Sequence, residues 1–367
     1  MKTVLIAIAT LIVGSPAYAQ LGGIMRKAQQ AQERKQQFDD MNITEDEEIK
    51  LGADVSEKIR QRFGVVQDAA VHKYVTLVGT VLTEQTTRPK LPWTFIVLDT
   101  DGVNAFAAPG GFVHITRGAL GLIKSEAELA GVLGHEIAHV AEKHTVDAIR
   151  KGKGVQLGTG ETLSNRGLFL DALANRTYSM VLENSFDRGD ELEADKTGIL
   201  LVQKATYAGT GLAEFLTRLS ERNKDQPQKN GLFASHPETQ ERIGKVKQLA
   251  GAKPGAVVAA RYASTIKYPP TEITKIAVVL EGSAGLAGSE KEKAKPEAKK
   301  EEEKKSRFGL GSLTKSVTAG KNEQQVAASG GARGVGADRL AKGGDNPNLV
   351  KTSIAPSDLA AFKKGIA

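Results

Sequence analysis

The sequence contains no cysteine. That excludes disulfides, thiolate zinc sites and the thiol on which a bacterial lipoprotein anchor is built, so any bound metal must rely on histidine and carboxylates. Aromatic residues are scarce, at 5% with a single tryptophan. The sparse and charged stretches gather at the ends, so the folded part is expected to be shorter than the 367-residue chain. A long hydrophobic run is also missing: Thr3 to Gly14 is apolar but too short to span a bilayer comfortably. The formal charge of +7 could favour acidic partners, but the lysines concentrate in a late segment rather than in a patch interleaved with aromatics. No nucleic-acid partner is therefore expected.

What is present begins with "MKTVLIAIATLIVGSPAYAQ". Lys2 supplies a positive start, the apolar stretch follows, and Ala17-Tyr18-Ala19 forms a small-x-small cleavage site. Residues 1–19 read as a signal peptide, which implies an exported, periplasmic or secreted protein with no transmembrane helix in the mature chain. In that oxidising compartment, stability must come from packing.

A Gln- and Lys-rich lead segment covers 20–41. Thr44 and Glu47 stand at capping-box spacing before a helix, and "AAVHKYVTLVGTVLTEQT" has apolar residues at helical intervals. "WTFIVLDT" and "AFAAPGGFVHITRG" read as neighbouring strands, with Pro109-Gly110-Gly111 as a turn between halves of the second. Ser125 and Glu128 make another capping box, opening a helix expected to continue to a stop near Gly152. Helices are also expected over 168–186, 190–204, the stretch "GTGLAEFLTRLSERN" and the stretch after His236-Pro237. The remainder divides into a short β-rich extension at 251–282, including "AARYASTIKYPP", a charged disordered linker at 283–307 and a low-complexity segment at 308–367.

"GHEIAHVAEKH" holds three of the six histidines. A helix advances about 100° per residue, so His135 and His139 share a face one turn apart and can converge on one ion. Glu136 is near enough to reach a water held by that ion, which makes H-E-x-x-H two ligands plus a general base. His144 lies about 180° from His135 while the helix continues, and is expected to be a surface or packing residue. A catalytic zinc usually takes three protein ligands, so the third should be a carboxylate. "FDRGDELEADKTGI" offers Glu191 and Asp195 one turn apart: Glu191 could bind the metal while Asp195 accepts a hydrogen bond from a ligand histidine. Glu193 points away from both; the alternative for the whole stretch is an acidic solvated face.

His135-Glu-x-x-His139 followed by Glu191-x-x-x-Asp195 resembles the HtpX, CaaX-prenyl-protease and BepA-like zinc metallopeptidases, of the gluzincin kind. "ITEDEEIKLG", "NAFAAPGGFVHITRGAL", "SEAELAGVLGHEIAHV", "FDRGDELEAD" and "SHPETQERI" extend the resemblance in order over 42–250, which becomes the expected peptidase domain. The soluble periplasmic branch fits best, although no helical repeats follow the domain. The resemblance implies an α+β, mostly helical zincin-type fold with a small β-sheet over the HExxH helix. It also implies one Zn2+ per chain on His135, His139 and Glu191, with Glu136 catalytic and Asp195 behind the ligands. Substrate backbone would bind at Asn104, Ala105, Phe106, Ala107, Gly110 and Gly111, as a strand added to a sheet edge. His236 could stabilise the oxyanion, occupy the metal's open position, or simply open a helix; Arg188 is a weaker candidate for the electrostatic role.

The expected activity is hydrolysis of peptide bonds in unfolded or misassembled envelope proteins, a quality-control role. The alternative is a chaperone-like envelope or outer-membrane assembly factor with a largely closed zinc site. Envelope or outer-membrane assembly proteins are the possible partners.

Overall fold

Capping places the first helix of the computed structural model, which describes residues 43–150, 166–183, 186–223, 239–272 and 346–366. α1 spans Glu45–Phe63, and its capping box is reciprocal. Glu47 N donates to Thr44 Oγ1 at 3.2 Å and Thr44 N donates to Glu47 Oε2 at 2.9 Å. Asp68 caps α2 (Ala69–Thr83) through Oδ1, which accepts from the amides of Ala70 and Val71.

The stretches read as strands form β1 (Thr94–Leu98), β2 (Ala105–Ala108) and β3 (Phe112–Thr116), in the order β1-β3-β2. β3 runs parallel to β1 and antiparallel to β2, pairing Ile96 with His114 on one side and Phe106 with His114 on the other. The turn between β2 and β3 falls on Pro109–Gly111, as the sequence predicts. Gly110 has φ 71°, and a Cβ there would sit 2.5 Å from the Ile49 backbone, so this tight turn admits only glycine.

α3 (Arg117–Leu122) leads to α4 (Glu126–Ala141), whose every residue is buried. Ser125 caps α4 by accepting from Glu128 N at 3.2 Å, but the expected reciprocal bond is displaced by one residue: Glu128 Oε2 accepts from Lys124 N at 3.0 Å. Arg218 holds that carboxylate from the other side.

The helix expected to run on to Gly152 stops at Ala141. Lys143 adopts a left-handed φ of 61°, and a separate α5 begins at His144 and ends at Arg150. α6 (Arg166–Glu183), α7 (Arg188–Lys204), α8 (Gly211–Asn223) and α9 (Thr239–Ala250) follow. α7 crosses α4 where two glycines meet: a Cβ on Gly198 would come within 2.9 Å of the Gly134 carbonyl carbon. That close approach brings the acidic face of α7 against the histidine face of α4.

Two expectations for the last third are corrected. "AARYAST" forms a helix, α10 (Ala259–Thr265), instead of a strand. Its alanines favour helix, and the helical spacing lets Tyr262 reach the Leu120 carbonyl while Arg261 reaches Glu126. The neighbouring strand expected at 272–282 lies, beyond Glu272, outside the described residues, as do the signal peptide, the lead segment and the charged linker. The end of the 308–367 segment is also more than low-complexity chain. Asn346 O accepts from Val65 N at 2.8 Å, and α11 (Pro356–Lys364) packs on α2. Phe362 and Ile366 are buried in the same apolar core as α2, the sheet, α4 and α8. Among the described residues no helix is long and apolar enough to cross a membrane.

Candidate metal centre

Helical spacing puts His135 and His139 on one face of α4, and the α4–α7 crossing lays Glu191 over them. The two Nε2 atoms are 3.1 Å apart. Glu191 Oε1 lies 3.5 Å from His139 Nε2, and Oε2 lies 3.6 Å from His135 Nε2. All three residues are buried, and one ligand atom from each lies within 4.8 Å of the others, so the group could hold a metal ion. Two nitrogens on a tetrahedral ion, each about 2.0–2.1 Å from it, would be roughly 3.3 Å apart, close to what is found. Glu136 follows His135 on α4, is buried, and lies close enough to Arg242 to act on its charge.

The second nitrogens of both rings are engaged, which fits the donor set to a cation. His135 Nδ1 lies 3.0 Å from Asp195 Oδ1, the contact expected from the spacing of Glu191 and Asp195. A proton held there leaves Nε2 with its lone pair facing Glu191 and His139. Phe186 stacks on the His139 ring at 4.1 Å between centroids.

Arg242 was not anticipated. It lies on α9, only 4% exposed, with Nη1 2.7 Å from Glu191 Oε2 and Nη2 2.6 Å from Asp195 Oδ1. Its Nε donates to Asp195 Oδ2 at 2.9 Å. Burial by itself would raise the Asp195 pKa, but hydrogen bonds from Arg242 and His135 outweigh it and hold the carboxyl well below its ordinary range. The signal for Arg242 was a basic residue on the core side of an amphipathic helix, next to Ile243 and Val246. A guanidinium buried there requires carboxylate partners.

A second buried carboxylate sits at the first turn of α4. Glu126 accepts from Tyr74 Oη at 2.8 Å, Tyr207 Oη at 2.9 Å and Arg261 Nη2 at 2.6 Å. Three elements thereby anchor the start of the helix that carries the histidines.

Other expectations fare differently. Arg188 is half exposed and paired with Glu241, so its guanidinium is solvated and partnered rather than held for a reacting oxygen. Asn104, Ala105, Phe106, Ala107, Gly110 and Gly111 are all buried. β2 is an edge in hydrogen-bonding order, yet α4 and α6 pack across it and Phe63 lies 5.8 Å from Phe106. Asn104 is used internally, its Oδ1 accepting from Ala105 N and its backbone N–H donating to Thr116 Oγ1. His236 lies outside the described residues. His144 is buried and touches His139, Nδ1 to Nδ1 at 3.0 Å, because the helix break turns it back; the expected 180° separation does not apply.

Residues 69–250 match the model of peptidase family M48. The chain is 28% identical over 223 residues to a candidate beta-barrel assembly-enhancing protease of Vibrio cholerae, covering 58% of this chain and 46% of that one. It is 23% identical over 216 residues to the beta-barrel assembly-enhancing protease of Escherichia coli K12, covering 56% and 44%. It is 25% identical over 220 residues to the mitochondrial metalloendopeptidase OMA1 of Schizosaccharomyces pombe, covering 58% and 64%. The chain thus spans about half the length of the beta-barrel assembly-enhancing relatives. Through the domain at 69–250, with its buried pair of histidines and its glutamate, the chain belongs to peptidase family M48 and carries a metalloprotease domain.

Proposed function

We propose that the protein is an exported zinc endopeptidase that cuts unfolded or misassembled envelope polypeptides in the periplasm. The observation that carries this reading is the convergence of His135, His139 and Glu191. These three would hold the zinc, which when bound polarises the scissile carbonyl and acidifies water. Glu136 takes a proton from the attacking water and later delivers it to the leaving amine. Asp195 keeps the His135 proton on Nδ1, and Arg242 neutralises the paired carboxylates and fixes the Glu191 oxygen it touches. Export is supported by Lys2, the apolar stretch and Ala17-Tyr18-Ala19; the envelope substrate class is supported by what the beta-barrel assembly-enhancing relatives are named for.

Replacing Glu136 by Gln should leave zinc bound, measured by metal analysis, and abolish casein cleavage. Full activity in that variant would sink the mechanism. Glu191→Ala should lose the metal. N-terminal sequencing of the protein from a periplasmic fraction should begin after Ala19.

The burial of β2 favours a second reading, a chaperone-like assembly factor with a largely closed site. In that case neither the wild type nor His236→Ala cleaves casein, while both bind unfolded client tightly. Cleavage unmasked by His236→Ala would instead give His236 a gating role.

A further inference from the structure

The two histidines of the metal centre are supported in different ways, and only one support was legible as a carboxylate. His135 uses Asp195. His139 uses another histidine: His144 Nδ1 lies 3.0 Å from His139 Nδ1, the rings meeting edge-on with centroids 4.9 Å apart. We infer that His144, with Glu193 behind it, is the positioning residue that sets the metal-binding tautomer of His139. The inference rests on the reading of His135, His139 and Glu191 as metal ligands.

The local backbone is shaped for this contact. On a continuous helix, a residue five positions after His139 lies about 140° round the cylinder and cannot touch it. Here α4 ends at Ala141 and Lys143 takes a left-handed conformation at φ 61°, disfavoured for any residue with a Cβ. The result is to bring the His144 ring back against His139. Lysine has no local reason to leave a helix.

Hydrogen-bond chemistry then fixes the protons. Two ring nitrogens 3.0 Å apart share one hydrogen. If His139 Nε2 offers its lone pair to the ion, its own proton is on Nδ1, and His144 Nδ1 must be the acceptor. The His144 proton therefore sits on Nε2, which faces Glu193 Oε2 at 3.4 Å. The stacked Phe186 ring restrains the His139 plane but offers no acceptor. An imidazole also suits this side of the site better than a carboxylate. Glu136, Glu191 and Asp195 already bury three carboxyl groups around Arg242, and another carboxylate against His139 would add a further buried charge. The arm places its charge at Glu193 instead, whose side chain is 58% exposed.

The test measures zinc affinity of the full chain by competition with a chromophoric chelator, with circular dichroism to confirm folding. His144→Ala should weaken zinc binding by about 10–100-fold. His144→Asn puts a side-chain oxygen where Nδ1 accepts and should recover most of the loss; His144→Leu fills the space without an acceptor and should not. Glu193→Ala, on an exposed position that leaves the core intact, should weaken binding a few-fold. Wild-type affinity in His144→Ala, or equal recovery by leucine and asparagine, would overturn the inference, and no effect of Glu193→Ala would remove Glu193 from it. A wild type that binds no zinc would overturn the metal-centre reading itself, a separate and distinguishable failure.

Discussion

Replacing Phe362 by alanine tests whether the end of the chain is part of the peptidase unit or merely rests on it. The ring is 7% exposed, edge-on to Tyr74 at 6.1 Å, with the Arg261 guanidinium 4.1 Å above its face. Truncating a buried phenylalanine costs about 3–5 kcal/mol, and the lower end applies because α11 is a short surface helix that can partly settle into the gap. Loss of the cation–π contact contributes up to about 1 kcal/mol of that figure, since Arg261 is only partly buried. The expected loss is therefore about 3 kcal/mol. With a urea slope of about 2–3 kcal/mol per molar, the unfolding midpoint should fall by roughly 1 M, read by circular dichroism. Leu349→Ala, at a position 44% exposed, serves as the control and should leave the midpoint in place. A fall below about 1 kcal/mol for Phe362→Ala, or an unchanged midpoint when the chain is ended at residue 345, would refute the reasoning. The consequence reaches the site, because Arg261 also holds Glu126 at the first turn of α4.

Other outcomes follow from individual contacts. Burial pushes the His114 pKa down to about 3 from 6.5, so the unfolded chain takes up a proton that the folded chain refuses. Stability should fall as pH drops below about 6.5, by about 2 kcal/mol near pH 5, and His114→Gln should flatten that slope in urea titrations. The Arg166 hydrogen bond holds Glu47 down to about 2 from 4.5, stability that is present above about 4.5 and lost towards 2. Solvent screening limits the effect to under about 1 kcal/mol, and Arg166→Ala should remove it from melting curves taken across that window. Arg242→Met leaves Glu191 and Asp195 buried together without their cation and should cost the metal-free protein about 3–5 kcal/mol in denaturant titrations. Gly131→Ala drives a Cβ to 2.5 Å from the Leu212 amide nitrogen, where backbone cannot yield, and should lower stability by about 2 kcal/mol in the same assay.

Much of the site was legible because it is written in short spacings. His135 and His139, Glu191 and Asp195, Thr44 and Glu47 each lie within one helical turn, and a helix converts such intervals directly into shared faces. The β-forming stretches of β1 and β3 and the Pro109-Gly110-Gly111 turn are local in the same sense, and the strands and turn lie where expected. What escaped was set by partners far along the chain. Arg242 is recognisable as a site residue only when α9 lies against α7, 47 residues from Asp195. α10 and α11 draw their order from Leu120, Glu126 and Tyr74, so a composition poor in apolar periodicity concealed them.

Ligand spacing and the absence of cysteine already pointed to a two-histidine, one-glutamate site on helices, because they left few other donors. How that site is supported and what packs around it came from contacts between distant elements. Packing buries β2 against α4 and α6, and the chain turns His144 back through a left-handed lysine. A residue's intrinsic preference is worth a few tenths to about 1 kcal/mol, while several buried contacts together outweigh it, so such positions cannot be read one residue at a time.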